Sequence, residues 1–206
     1  MISELKLYIL IFLTCFFFKI KQCQVSECKL TNDLTGVGVA DGFPKIQYRA
    51  KSVGILNISL IFTDFRDAVA TITPQEMLSK VSPTTENFFE RNSYGKLRVN
   101  FKANLKWLRM SKLSNGYVQG GRGSITTELQ KAYMQEAADL AKSNGFDLSN
   151  TDILVVMMNP AASGGLPYST TFTGFPGRGI KVNGKEILNA LTTGSGRISP
   201  FNNFLI

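Results

Sequence analysis

Two aspartates in a short polar segment are the residues of this sequence whose type and spacing could best do chemistry. Asp64 and Asp67 lie in Thr63-Asp64-Phe65-Arg66-Asp67, which directly follows a long apolar run. Two carboxylates at a strand end can work as an acid–base pair or as ligands of a cation. Carboxylates in this setting also commonly do no more than solvate a turn, so both interpretations stay open.

The composition excludes several kinds of active site, because the 206 residues include no histidine. A Ser-His-Asp triad and a Cys-His pair each need an imidazole base. The metallopeptidase helix H-E-x-x-H needs two histidines as zinc ligands. The three cysteines, Cys15, Cys23 and Cys28, do not have the spacing of a zinc finger. We therefore assign no catalytic and no metal-binding residue, and we expect no cofactor in this chain.

A glycine-rich loop, Gly120-Gly121-Arg122-Gly123-Ser124, precedes a predicted helix. Such loops at helix N-termini attract anions. However, no predicted strand leads directly into the loop, and the Lys-Ser/Thr pair of a phosphate-binding P-loop is missing. An ordinary surface loop is therefore favoured over a small-anion site.

The hydrophobic pattern predicts the elements that position these residues. Residues 52–62 and 152–158 are apolar runs typical of strands covered on both faces, and apolar residues alternate with polar ones from Leu97. Helices are predicted at the capping box that begins with Thr73, over residues 85–91, and over residues 125–144. Asn183-Gly184 is typical of a two-residue hairpin turn. The order of elements predicts an α/β fold with a mixed, twisted sheet and helices.

The first residues predict export from the cell. Residues 7–18 form an apolar run of signal-peptide length, too short to span a bilayer. We expect a signal peptide over residues 1–24, a lead-in segment over 25–51, a secreted protein and no stable membrane span after cleavage. An uncleaved membrane anchor is the weaker alternative. Cys23 and Cys28 are close enough to form a disulfide if both remain after cleavage, whereas a cut after Cys23 leaves Cys28 as a lone thiol that can seek a partner elsewhere.

The net charge of +8 comes from scattered basic residues with no long basic run. A solvated surface explains this pattern, so we expect no nucleic-acid partner. An extracellular protein partner fits the predicted export. The triplet Asn57-Ile58-Ser59 is an N-glycosylation sequence, but its place in a predicted buried strand argues against its use.

Three stretches resemble the front half of the catalytic domain of secreted zinc metallopeptidases of the immune-inhibitor-A and gametolysin type. The first is the apolar strand that runs into Thr63–Asp67. The second, and the most specific, is the phenylalanine-rich helix followed by Ser93-Tyr94-Gly95-Lys96-Leu97. The third is the long helix, the strand from Asp152 and the glycine-rich stretch after it. The resemblance covers about residues 52–190.

The resemblance implies a sheet-and-helix unit similar to the N-terminal subdomain of a zincin metallopeptidase. In that family zinc is held by an H-E-x-x-H helix that follows this point, so residues 52–206 are expected to form an incomplete domain of a truncated protein. The expected function is a secreted, metallopeptidase-like protein that is inactive as this chain. The alternative is an extracellular binding or regulatory module. Phe88, Phe89 and Tyr94 are expected to anchor the core.

Overall fold

The sheet is built around β1, Gly54–Asp64, because this apolar strand is covered on both sides by neighbouring strands and on both faces by helices. The computed structural model describes residues 50–118, 126–162, 170–173 and 177–193, and for 170–173 the backbone only. The expected signal peptide, nearly all of the lead-in segment, the loop Gly120–Ser124 and the last thirteen residues lie outside this part. The described residues belong to one compact unit.

Three helices and seven strands make up the described part, together with one short 3-10 helix at Ser114–Tyr117. The helices are α1, Pro74–Ser79; α2, Thr84–Asn92; and α3, Thr127–Ser143. The strands after β1 are β2, Leu97–Arg109; β3, Ile153–Met158; β4, Thr170–Thr173; β5, Ile180–Val182; β6, Lys185–Ile187; and β7, Asn189–Thr193.

The main sheet has the order β2-β1-β3-β7-β4, with a separate β5-β6 hairpin. The first four of these strands run parallel, and β4 is antiparallel to β7. The predicted α/β class with a mixed sheet is confirmed. The short strands β4 and β7 were not predicted.

Helices cover both faces of this sheet. On one face Leu60 and Phe62 of β1 pack with Met77 of α1 in one apolar cluster. On the other face Ile61 belongs to a second cluster with Ala137 of α3. Side chains of a strand alternate between faces, so a continuous apolar run such as β1 supplies both clusters.

Local signals in the sequence set the ends of several elements as predicted. The Thr73 hydroxyl accepts a hydrogen bond from the Glu76 backbone N–H at 3.1 Å, and the Glu76 carboxylate accepts one from the Thr73 N–H at 2.6 Å. This is a complete capping box at the start of α1. Asn183 and Gly184 both have positive φ, as a two-residue hairpin turn of this type requires.

One expectation about the core is wrong. Tyr94 is 91% exposed and does not anchor the core, while Phe88 is half-buried and Phe89 packs against the edge of a core cluster. The physical reason is that Tyr94 follows the C-cap Ser93 with φ 54°, so it lies in the turn between α2 and β2 and not on a face of the helix.

Among the described residues, no helix combines the length and the apolar character needed to cross a membrane.

Candidate functional site

In a sheet of this kind, a functional site is expected at the carboxyl ends of the parallel strands. The chain runs from β1 to β2 on one side and then crosses back to β3 on the other side. In open α/β sheets, ligands commonly bind outside the carboxyl ends of the strands where the direction of winding reverses. Asp64 ends β1, Arg109 ends β2, and Asn159 follows β3, so their backbones meet at this edge.

Asp64 is held by Arg109 in a two-bond ion pair. The two residues are opposite each other in the register of β1 and β2. Arg109 donates from Nε to Oδ1 at 2.7 Å and from Nη2 to Oδ2 at 2.8 Å. The hydrogen bond to Asp64 raises the pKa of Arg109 above its ordinary value. Only 4% of the Asp64 side chain is exposed, against 49% of Arg109, so a buried carboxylate is neutralised by a half-exposed cation.

Asp67 lies in the turn that follows β1 and binds a different partner. Phe65 and Ala68 exchange two backbone hydrogen bonds at 3.1 and 3.2 Å, which close the turn. The Asp67 carboxylate accepts from the Ser114 N–H at 2.9 Å and from the Ser114 hydroxyl at 2.8 Å. Desolvation raises the pKa of Asp67, but the hydrogen bonds from Ser114 outweigh it and leave the pKa below its ordinary value.

Asn159 was not singled out from the sequence, yet it connects three segments at this edge. Its backbone N–H donates to the Thr63 carbonyl at 2.8 Å. Its side-chain Nδ2 donates to the Ala68 carbonyl at 2.9 Å, and its Oδ1 accepts from the Ala161 N–H at 3.2 Å. Asn159 is buried, so these bonds fix the turns after β1 and β3 against each other. Its position directly after the β3 apolar run is the signal that could have identified it.

A buried aromatic cluster lies beneath the same edge. The rings of Phe65, Tyr117 and Tyr133 contact one another, with the two tyrosine centroids 5.2 Å apart. The Tyr133 hydroxyl shares a 2.5 Å hydrogen bond with the Thr63 hydroxyl. Complete burial raises the pKa of Tyr133 above its ordinary value, although the bond to Thr63 opposes this. The cluster therefore holds the end of β1 against α3.

Glu136 of α3 connects this cluster to the segment after β2. Its carboxylate accepts from the Tyr117 hydroxyl at 2.5 Å and from the Ser111 N–H at 2.6 Å. Burial opposes ionisation of Glu136, but these bonds outweigh it and lower the pKa of the carboxyl. Burial, followed by the bond to Glu136, raises the pKa of Tyr117 to about 12.

Ser93, Tyr94 and Gly95 form a junction between α2 and β2, at the opposite end of the sheet from Asp64. The Gly95 N–H donates to the Glu90 carbonyl at 2.8 Å, and the Tyr94 N–H donates to the Arg91 carbonyl at 3.1 Å. These two bonds are the Schellman pattern that ends a helix. The Ser93 hydroxyl then accepts from the Leu97 N–H at 2.9 Å, at the first residue of β2. The segment therefore stops a helix and starts a strand.

The residues described do not fit a zinc ion. Zinc sites in proteins use histidine, thiolate and carboxylate ligands in a tetrahedral group. The chain has no histidine, and its three cysteines lie outside the described part. Within residues 50–118, 126–162, 170–173 and 177–193, no three acidic, histidine or cysteine side chains are grouped so as to hold a metal. Asp64 and Asp67 are instead engaged by Arg109 and Ser114.

At the carboxyl ends of β1, β2 and β3, the carboxylates, the Asn159 amide and the tyrosine hydroxyls are all engaged in hydrogen bonds to other side chains or to the backbone. Chemically, this edge of the sheet is therefore a rigid scaffold. No protein-family model matches this chain, and no curated protein is detectably similar to it.

Proposed function

We propose that this chain is a secreted protein of the zinc-metallopeptidase type, whose described part is the sheet-bearing front half of such a domain. We propose further that the chain by itself holds no catalytic zinc and cleaves no peptide bond. Its contribution is the folded sheet and the ordered strand ends, not the reacting groups.

The observation that carries this proposal is where the three family-like stretches lie. The segment Thr63–Asp67 lies at the end of β1, Ser93–Leu97 leads into β2, and the stretch from Asp152 forms β3. These three strands are neighbours, with β1 between the other two. Stretches that are far apart in the chain thus form one contiguous unit, as expected if the resemblance reflects a shared folded core.

The absence of histidine supports the second part of the proposal. A catalytic zinc ion in such enzymes needs imidazole ligands and an open position for water. The carboxylate at the end of β1, Asp64, is held by two hydrogen bonds from Arg109. Freeing it would leave a charged group buried without a partner, which is costly.

The test uses the full chain made in secreting cells. We expect zinc well below one ion per chain after treatment with a chelator, and no chelator-sensitive cleavage of a fluorogenic casein. An active secreted metallopeptidase serves as the positive control in both assays. Stoichiometric zinc that survives the chelator would overturn the proposal. N-terminal sequencing of the medium tests secretion separately, and we expect a start between residues 19 and 30.

A second candidate is an extracellular binding or regulatory module. It is favoured by the engagement of Asp64, Asp67 and Glu136 in internal bonds, since these groups then serve the fold and not a reaction. Translation of the DNA downstream of codon 206 separates the two candidates. An H-E-x-x-H motif there, intact or decayed, supports the metallopeptidase origin, and its absence supports the binding module.

A further inference from the structure

Asn57 begins the chain's glycosylation triplet, and the structure places it on an open part of the sheet. It lies near the amino end of β1, and its side chain is half-buried, not buried. Val53 and Ile55 precede it at spacings of two along the chain and are 63% and 57% exposed. Residues spaced by two along a strand point to the same face, so Ile55 and Asn57 share a face that is open to solvent at this end.

The side-chain nitrogen of Asn57 is not engaged by the bonds that the described residues make with it. The Asn57 backbone N–H donates to the Asp152 carboxylate at 2.9 Å, and its carbonyl accepts from the Asp152 N–H at 2.9 Å. The side-chain Oδ1 accepts from the Asn100 Nδ2 at 3.0 Å. The amide is therefore oriented by its oxygen, while Nδ2 remains for a bond to a substituent.

We propose that Asn57 carries an asparagine-linked oligosaccharide on the secreted protein. This inference rests on the proposed secretion, and the donor is a lipid-pyrophosphate-linked oligosaccharide met in the secretory route. Nδ2 forms a bond to the anomeric carbon of the first sugar and loses one proton. The bond between that carbon and the pyrophosphate oxygen breaks, and the lipid pyrophosphate leaves with its electron pair.

The burial of Ser59 fixes when the transfer takes place. Ser59 supplies the hydroxyl of the triplet, but it is 2% exposed and shares a 2.7 Å hydrogen bond with Thr151. An enzyme that must read this hydroxyl has access only before β3 pairs with β1. The modification therefore precedes completion of the sheet, and the buried hydroxyl of the folded state does not argue against it.

The glycan also gives a role to the two exposed apolar residues beside it. Val53 and Ile55 are large apolar side chains that remain mostly in water near Asn57 in the chain. The apolar faces of the first sugars can cover them. Burial of apolar surface is favourable wherever it is removed from water.

The experiment expresses the full chain behind a strong unrelated signal peptide in secreting eukaryotic cells. Total cell extract and medium are treated with peptide-N-glycosidase, and tryptic glycopeptides are located by mass spectrometry. We expect the untreated protein to migrate more slowly by one glycan and to collapse to a single faster band on treatment. A glycopeptide that contains Asn57 should be found in untreated material.

Matched variants keep the result independent of folding. Asn57→Gln and Ser59→Ala should each lose the shift, whereas Ser59→Thr, which keeps a hydroxyl, and Asn100→Gln, which lies outside the triplet, should retain it. A wild-type chain that enters the secretory route and is unchanged by the glycosidase would overturn the proposal. The unrelated signal peptide brings the chain into the secretory route whether or not its own signal works. If the native signal fails in a parallel sample, that result therefore counts against the proposed secretion and not against glycosylation of Asn57.

Discussion

Replacing Arg109 by methionine should destabilise the protein far more than the same change at Arg98. Both arginines lie in β2 and pair with a carboxylate, but their environments differ. Arg109 makes two bonds of 2.7 and 2.8 Å to a carboxylate that is almost fully buried. Arg98 is 73% exposed and lies 3.6 Å from Glu90. The pair of substitutions therefore compares a buried with an exposed ion pair in one strand.

The size of the effect follows from what is left behind. Arg109→Met leaves Asp64 buried, and among the described residues the one further donor to its carboxylate is the Ala70 N–H at 3.4 Å. Breaking a buried ion pair costs about 3–5 kcal/mol, and the half-exposure of Arg109 places the loss at the lower end of this range, about 3 kcal/mol. Arg98→Met should stay within about 0.5 kcal/mol of wild type, because exposed pairs contribute little.

Urea unfolding followed by tryptophan fluorescence measures both variants. The chain has one tryptophan, Trp107, which packs edge-on against Phe62 and donates to the Ile72 carbonyl at 2.7 Å. With a urea slope of about 2 kcal/mol per M, a loss of about 3 kcal/mol lowers the midpoint by about 1.5 M. Adding Asp64→Leu to Arg109→Met should restore part of this loss, because the unpaired charge is removed. Equal midpoints for Arg109→Met and Arg98→Met would refute the reasoning.

Three further predictions use the same unfolding assay. Tyr133→Phe should lower the free energy of unfolding by about 1–3 kcal/mol, because the buried Thr63 hydroxyl loses its 2.5 Å partner; the exposed change Tyr94→Phe is the control, and equal effects of the two would contradict this. The pKa of Tyr117 is raised from 10.0 to about 12, so the unfolded state ionises first and stability should fall as pH rises from about 10 to about 12. Tyr117→Phe should make that fall shallower, and an unchanged profile would count against the assigned pKa. Tyr94→Gly should raise stability by about 0.5–1 kcal/mol, because glycine accepts positive φ at a helix end without strain; a loss of stability would show that the tyrosine ring is needed.

The parts of the fold that local sequence encodes were the parts that could be predicted. The capping box at Thr73 and the turn at Asn183-Gly184 depend on a few adjacent residues, and the long apolar runs of β1 and β3 depend on burial that the sequence displays directly. Strand β7 carries the buried polar residues Thr192 and Thr193 and no long apolar run. It is a strand because β3 and β4 lie on either side of it, which is tertiary context that no local pattern shows.

The candidate site shows the same division. The two aspartates were noticed because they follow an apolar strand, but their partners lie more than forty residues away in the chain. That Arg109 faces Asp64 follows from the register of β1 with β2, and this register includes a shift between Ile61 and Phe62. No rule of sequence spacing gives such a shift, so the ion pair could not have been derived from the sequence alone.

The place of β1 between β2 and β3 has a consequence for the chain as it is being made. Its two neighbours, β2 and β3, are encoded well after it and far from each other. At about 5–20 residues per second, the roughly 50 residues from the end of β2 to the end of β3 take on the order of seconds to synthesise. During that interval β1, which lies inside the finished sheet between β2 and β3, is an edge strand with unpaired backbone groups beside Leu60, Ile61 and Phe62. The nascent chain is thus exposed to wrong strand pairing along a segment that has a neighbouring strand on each side once folding is complete.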